Sequence, residues 1–193
     1  MNDILPEEMP RWRRLEESFR AHVASHGFGE IRTPIVEPTA LFVRSIGETT
    51  DIVEKEMYTF SDKAEKSLTL RPEGTASCAR AYLEANAGAK QPVNKWFYIG
   101  PMYRRERPAK GRYRQFYQAG CEIYGDPGPF CDAEMIDMVV TLLADLGIEN
   151  IEVMINSLGG AETRTRYREA LRTYLEPYRA QLSEDSQRRL DTN

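Results

Sequence analysis

One stretch, residues 95–124, constrains this chain more than any other: KWFYIGPMYRRERPAKGRYRQFYQAGCEIY reads as two strands joined by a basic loop. Strand side chains alternate between faces. Trp96, Tyr98, Gly100, Met102 and Arg104 therefore share one face of the first strand. On the second, Gln118, Gly120, Glu122 and Tyr124 share a face, while Tyr117, Ala119, Cys121 and Ile123 point the other way. Arg104, Gln118 and Glu122 can then stand on a common surface floored by Gly100 and Gly120. Charges on a largely aromatic and apolar hairpin cost free energy to bury unless something pairs with them. That combination marks a ligand site.

The same stretch concentrates positive charge. Lys95, Arg104, Arg105, Arg107, Lys110, Arg112 and Arg114 stand against Glu106 alone between residues 95 and 118, in a chain whose net charge is −4. A focused positive patch on an acidic body suits a phosphate-bearing ligand better than general nucleic-acid coating. Its alternative is a solvated hairpin tip. At 193 residues, with 41% hydrophobic and 29% charged, the chain can bury a sizeable core and is most simply one soluble domain. No apolar run approaches a membrane span, and no signal-peptide pattern opens the chain. Cys78, Cys121 and Cys131 are an odd number without CxxC spacing, and neither histidine is near them in sequence. A zinc site, a disulfide framework or a catalytic thiol is therefore not expected, and reduced cytosolic thiols fit better.

Periodicity supplies the remaining elements. Met9, Trp12, Leu15, Phe19 and Val23 recur at helical spacing across residues 6–26, with Gly27 as a stop. His22 and His26 lie one turn apart on that helix, as a solvent-side pair. A strand is expected over 29–34, a short helix over 39–46, and paired strands at 57–60 and 67–70 around the turn SDKAEK. Residues 76–87 read as a helix with Thr75 as its cap. Residues 132–146 read as another, presenting Met135, Met138, Val139, Leu142 and Leu146 on one side. A short strand at 151–155 and exposed helices at 163–178 and 181–190 complete the chain. The fold class is α+β, a mainly antiparallel sheet with helices on one side.

Several residues carry chemistry with alternatives attached. Glu106 is either a ligand contact or a surface partner for the surrounding arginines. Phe116 is either a stacking platform or core packing. Glu73, beside Gly74 and ahead of a helix, can accept hydrogen bonds from an ammonium group or interact with the helix N-terminus. Thr75 can orient a ligand as well as cap. Glu122, flanked by Cys121 and Ile123, either recognises a ligand or forms a bridge to Arg112 or Arg114.

RRERPAKGRYRQF and then YQAGCEIYG resemble the second signature motif of class II aminoacyl-tRNA synthetases, in its histidyl form. TPIVEPTALFVRSIGETTDIVEKEMYTF resembles the first motif together with the segment after it. SLTLRPEGTAS resembles the amino-acid-binding turn, and MNDILP the N-terminal entry. The four segments occur in the family's order, and the resemblance covers residues 1–193.

The resemblance implies a histidine–tRNA ligase that makes histidyl-adenylate from ATP and histidine and then charges histidine tRNA. It implies Arg104 as the catalytic arginine on the ATP α-phosphate and the attacking carboxylate. Glu106 would meet the adenine amino group, Phe116 the adenine ring, and Arg112 would join the ATP-binding set. Glu73, Thr75 and Gln118 would hold the substrate's α-amino end, and Glu122 its imidazole. Arg107 and Lys110 would touch tRNA phosphates. Ala109 stands where many bacterial relatives carry glutamine, a departure that leaves open how the tRNA 5′ end is read by this loop. Magnesium is implied with the nucleotide, a homodimer through residues 29–60, and a cytoplasmic location without membrane attachment. The alternative is the synthetase-like regulatory subunit of ATP phosphoribosyltransferase, which shares the fold and makes no adenylate. Residues 1–193 would be the N-terminal part of the catalytic domain. Nothing in them resembles the third motif, the glycine-rich histidine-binding segment or an anticodon-binding domain, so a fragment unable to complete the reaction alone is expected.

Overall fold

In the computed structural model the elements run α1 (Met9–Ser25), β1 (Gly29–Glu30), β2 (Val36–Pro38), α2 (Thr39–Ile46), a π-helical turn (Ile52–Glu56), β3 (Tyr58–Ser61) and β4 (Ser67–Leu70). They continue with α3 (Thr75–Glu84), α4 (Ala87–Lys90), β5 (Asn94–Tyr103), β6 (Gln115–Tyr124), α5 (Pro129–Asp145), α6 (Ala161–Leu175), a 3-10 turn (Glu176–Gln181) and α7 (Glu184–Thr192). The structure describes all residues except Met1, Glu48, Thr49, Asp51, Pro108, Leu158 and Asn193. Those positions of the first-motif segment, the basic loop and the termini therefore lie outside the described residues. The chain divides into two compact units, Met1–Glu149 and Asn150–Asn193.

The hairpin expected from the alternation is present. β5 and β6 pair antiparallel in unbroken register, with Trp96 opposite Glu122, Tyr98 opposite Gly120 and Gly100 opposite Gln118. β1 adds to β5 in parallel, giving the order β1-β5-β6. Both parities of β5 are apolar or aromatic, so both faces of the hairpin are covered. Phe97, Ile99, Cys121 and Ile123 pack with Phe28 against Phe19 and Val23 of α1 and Met135, Met138 and Leu142 of α5. Tyr98 and Met102, with Trp96, Phe116 and Tyr124, pack against Cys78 of α3 and Ile31. The one-sided arrangement of helices expected from the sequence is thus replaced by helices on both sides. Each large apolar side chain buried there contributes about 1.5–3 kcal/mol of transfer free energy.

α1 ends as its sequence predicts. Gly27 takes φ +81°, and the amides of His26, Gly27 and Phe28 donate to the carbonyls of Val23, Ala24 and Val23. Its histidines are not a solvent-side pair. His22 Nε2 lies 2.9 Å from the Met138 carbonyl oxygen and its Nδ1 3.3 Å from Asp145, while His26 Nδ1 lies 3.7 Å from Glu134. Helix α5 packs over them because the apolar stripe of α1 brings it there.

A second antiparallel sheet has the order β2-β4-β3. β3 and β4 are the expected pair. The strand expected over 29–34 instead breaks after Glu30 and pairing resumes at Val36. Pro34 has no amide hydrogen for a ladder. The carbonyls of Thr33 and Pro34 turn to Arg71 Nη1, at 2.9 and 3.5 Å. Arg71 also donates from Nε to the Pro101 carbonyl at 3.0 Å, so this buried guanidinium ties β5 to the segment leading into the second sheet. Glu37, buried on β2, accepts from Arg80 of α3 at 2.8 and 3.2 Å. α3 is thereby held against the second sheet as well as the hairpin.

In the second unit α6 stops at Leu175 because Pro177 cannot continue it, and a 3-10 turn leads toward α7. Arg172 donates to the carbonyls of Leu190 and Asp191 at 3.2 and 3.4 Å, bracing α6 against α7. Residues 151–155 form no strand, contrary to expectation. An apolar run becomes a strand only when another takes its backbone groups. Among the described residues none does, and Met154 and Ile155 are 88% and 79% exposed.

Candidate active site

The turn between β4 and α3 carries the first half of the site. Glu73 Oε2 accepts the Thr75 amide hydrogen at 2.5 Å and Oε1 that of Ala76 at 2.9 Å. The carboxylate therefore caps α3, and Thr75, the first residue of that helix, does not cap it as local propensity led one to expect. The helix-terminus role of Glu73 is real and does not exhaust it. Each carboxylate oxygen has a second acceptor direction, which an ammonium group can use.

β6 brings the second half to the same place. The Gln118 side-chain oxygen accepts the Gly74 amide hydrogen at 3.2 Å, which fixes the amide against the turn. Glu122 lies further along the same face of β6, where the Thr75 hydroxyl and the Tyr98 phenol adjoin it. Burial pushes its carboxyl above the ordinary carboxylate range. Thr75 and Tyr98 oppose that shift as hydrogen-bond donors, and the Glu73 charge adds to it. The shift marks a costly burial of charge of the kind functional sites contain. Arg112 and Arg114 go instead to Glu106, at 3.9 Å from its carboxylate and 3.4 Å from its carbonyl oxygen respectively. Glu73, Thr75, Gln118 and Glu122 thus converge from two segments distant in sequence.

Arg104 links this cluster to the basic loop. Its amide donates to the Arg114 carbonyl at 2.9 Å, closing the ladder one residue past β5. Its Nε donates to the Pro72 carbonyl at 2.9 Å, beside Glu73, and its guanidinium lies 5.1 Å from the centre of the Phe116 ring. Nη1 is 3.9 Å from Glu106. The guanidinium is oriented through Nε while its terminal nitrogens can meet an anion's oxygens. Glu106 stands between Arg104 and Arg112, Arg112 being 71% exposed at its side chain. Arg107 and Lys110 are exposed near the hairpin tip, where Ala109 and Arg112 bridge and Gly111 takes φ +80°. They are not drawn in with the other residues.

The glycine floor differs from the sequence expectation. The space above Gly100 is filled by the Arg71 guanidinium, and that above Gly120 by the Tyr98 ring. Tyr98 was legible as a residue on the site's face, but its contact with Glu122 was not. Arg71, beside the PEGT turn, carries no local signal of its role. Two of the thiols are held protonated and poorly nucleophilic: burial pushes Cys78 up to about 11 and Cys121 up to about 12. Among the described residues no group of three or more His, Cys, Asp or Glu could hold a metal ion, and no helix is long and apolar enough to cross a membrane.

Comparison with known proteins adds to this geometry. A family model described as "Histidyl-tRNA synthetase" matches residues 1–173. A histidine–tRNA ligase of Sorangium cellulosum (strain So ce56) is 61% identical over 193 residues, which are 100% of this chain and 45% of that protein. The crystal structure of apo S. aureus histidyl-tRNA synthetase matches with a TM-score of 0.78 at 39% identity, covering 100% of this chain and 45% of the other. A Bacillus halodurans protein described as an ATP phosphoribosyltransferase regulatory subunit/histidyl-tRNA synthetase gives a TM-score of 0.71 at 24% identity, over 98% of this chain and 52% of the other, a likeness of fold alone. The chain spans 45% of the length of its curated relative.

Proposed function

The chain belongs to the histidyl-tRNA synthetase family, and from that premise we propose that it serves a histidine–tRNA ligase, contributing the N-terminal part of the catalytic domain. Its fold is the α+β class II synthetase type. The reaction joins histidine to ATP as histidyl-adenylate with release of pyrophosphate, then moves the histidyl group to the 3′ end of histidine tRNA. The observation that carries this reading is the meeting of Glu73, Thr75, Gln118 and Glu122 beside an arginine oriented by Pro72 and Phe116.

Glu73 accepts from the substrate ammonium, with Thr75 and Gln118 completing that end. Glu122 accepts the imidazole N–H, a donor that no apolar amino acid of similar size offers. Arg104 binds the α-phosphate and the attacking carboxylate and stabilises the charge that develops at phosphorus, an electrostatic role without proton transfer. Phe116 stacks on adenine, Glu106 accepts from its amino group, and Arg112 pairs with phosphate oxygens. Magnesium accompanies the nucleotide and neutralises its phosphates. Arg107 and Lys110 contact tRNA phosphates. The same reading makes the protein a cytoplasmic homodimer whose interface is built by residues 29–60.

Histidine-dependent exchange of labelled pyrophosphate into ATP by the complete protein tests the proposal. Exchange confined to histidine is the expected result. Histidine binding without any exchange would favour a regulatory, non-catalytic role.

A further inference from the structure

We propose that Tyr98 is the positioning residue for the carboxylate that recognises imidazole, and that residues 74 and 120 are glycine because the Tyr98 ring occupies the space of their side chains. This rests on the histidine-recognition role proposed above for Glu122. A Cβ on Gly74 would lie 2.2, 2.3 and 2.7 Å from Tyr98 Cε2, Cζ and the hydroxyl oxygen. One on Gly120 would lie 2.4 Å from both Cζ and the hydroxyl oxygen and 2.8 Å from Cε2. Neither glycine has a positive φ, so conformation does not demand glycine at either place; the ring's volume does.

The ring is therefore clamped between the first turn of α3 and the middle of β6, and only 8% of Tyr98 is exposed. Phenylalanine would fill the same space without the cost of burying a hydroxyl. The hydroxyl instead donates to Glu122 Oε1 at 3.4 Å, with Thr75 adjoining both groups and Glu73 and Cys78 nearby. A donor held on two sides gives the carboxylate a defined position before substrate arrives, which reduces the ordering that binding would otherwise require.

The test uses the complete protein and the Tyr98→Phe substitution, which keeps the clamp and removes the donor. The KM for histidine in pyrophosphate exchange should rise about tenfold while that for ATP stays unchanged. Loss of the donor disfavours the Glu122 carboxylate, so the acidic limb of kcat/KM for histidine should move to higher pH. A merely structural tyrosine would leave that limb in place. In parallel, Gly120→Ala should lower Tm when Tyr98 is present and lower it much less in a Tyr98→Ala background. Wild-type exchange that Tyr98→Phe leaves unaltered in both KM and pH limb overturns the inference alone, as does an equal Tm loss in the two backgrounds. A wild-type protein inert toward histidine overturns the functional reading and the inference with it.

Discussion

The Arg71 guanidinium stands where a side chain at residue 100 would have to go: a Cβ on Gly100 would lie 2.4 Å from Arg71 Nη2. Burial lowers the Arg71 pKa, yet the group remains a cation whose facing acceptors are the carbonyls of Thr33, Pro34 and Pro101 and the Thr33 hydroxyl. The small residue on β5 thus admits the arginine that joins the hairpin to the second sheet.

Arg71→Met should lower unfolding stability by about 3 kcal/mol, because the carbonyls it serves lose their donors. Gly100→Ala should be destabilising for the complementary reason, displacement of the guanidinium. Urea unfolding monitored by tryptophan fluorescence measures both. A loss below about 1 kcal/mol for Arg71→Met would mean that water replaces the arginine without penalty.

Arg104→Ala should leave the fold intact and reduce adenylate formation roughly 10²–10³-fold. It also loses the Pro72 hydrogen bond and the Phe116 contact, so a stability decrease of about 1 kcal/mol should accompany it. Pyrophosphate exchange near the wild-type rate would remove Arg104 from the catalytic role.

Glu122 yields a prediction with a definite sign. Its folded pKa is raised by burial, so between the ordinary carboxylate value of about 4.3 and the raised value the folded state binds more protons than the unfolded. Stability therefore falls as pH rises through that interval and stays lower above it. Glu122→Gln should melt at higher temperature than wild type at neutral pH, with the gain vanishing below about pH 4. A gain that persists at low pH would place the cause elsewhere. Glu122→Leu should weaken histidine binding about tenfold or more by calorimetry, the loss of a hydrogen bond to a charged group.

Replacing Arg107 and Lys110 with alanine should weaken tRNA charging and flatten its salt dependence by a log–log slope of about 1–2, with histidine activation little changed. Both side chains are exposed. Equal losses in activation and charging would assign the loop to ATP instead.

The order of motifs, the hairpin and the face shared by Gln118 and Glu122 were legible in the sequence, because a period of two residues is local geometry that long strands preserve. α2 and the β3–β4 pair arose from equally local patterns. What lay beyond reach depends on groups distant along the chain. Glu73 as the cap of α3 depends on competition for two amides; local propensity assigned that cap to Thr75. His22 and His26 are covered because α5 returns over α1, and residues 151–155 form no strand because none pairs with them among those described. The glycines are the clearest division. Sequence marked Gly100 and Gly120 as small; only tertiary packing decided that Arg71 and Tyr98 fill the space above them, since side-chain volume is allotted between elements.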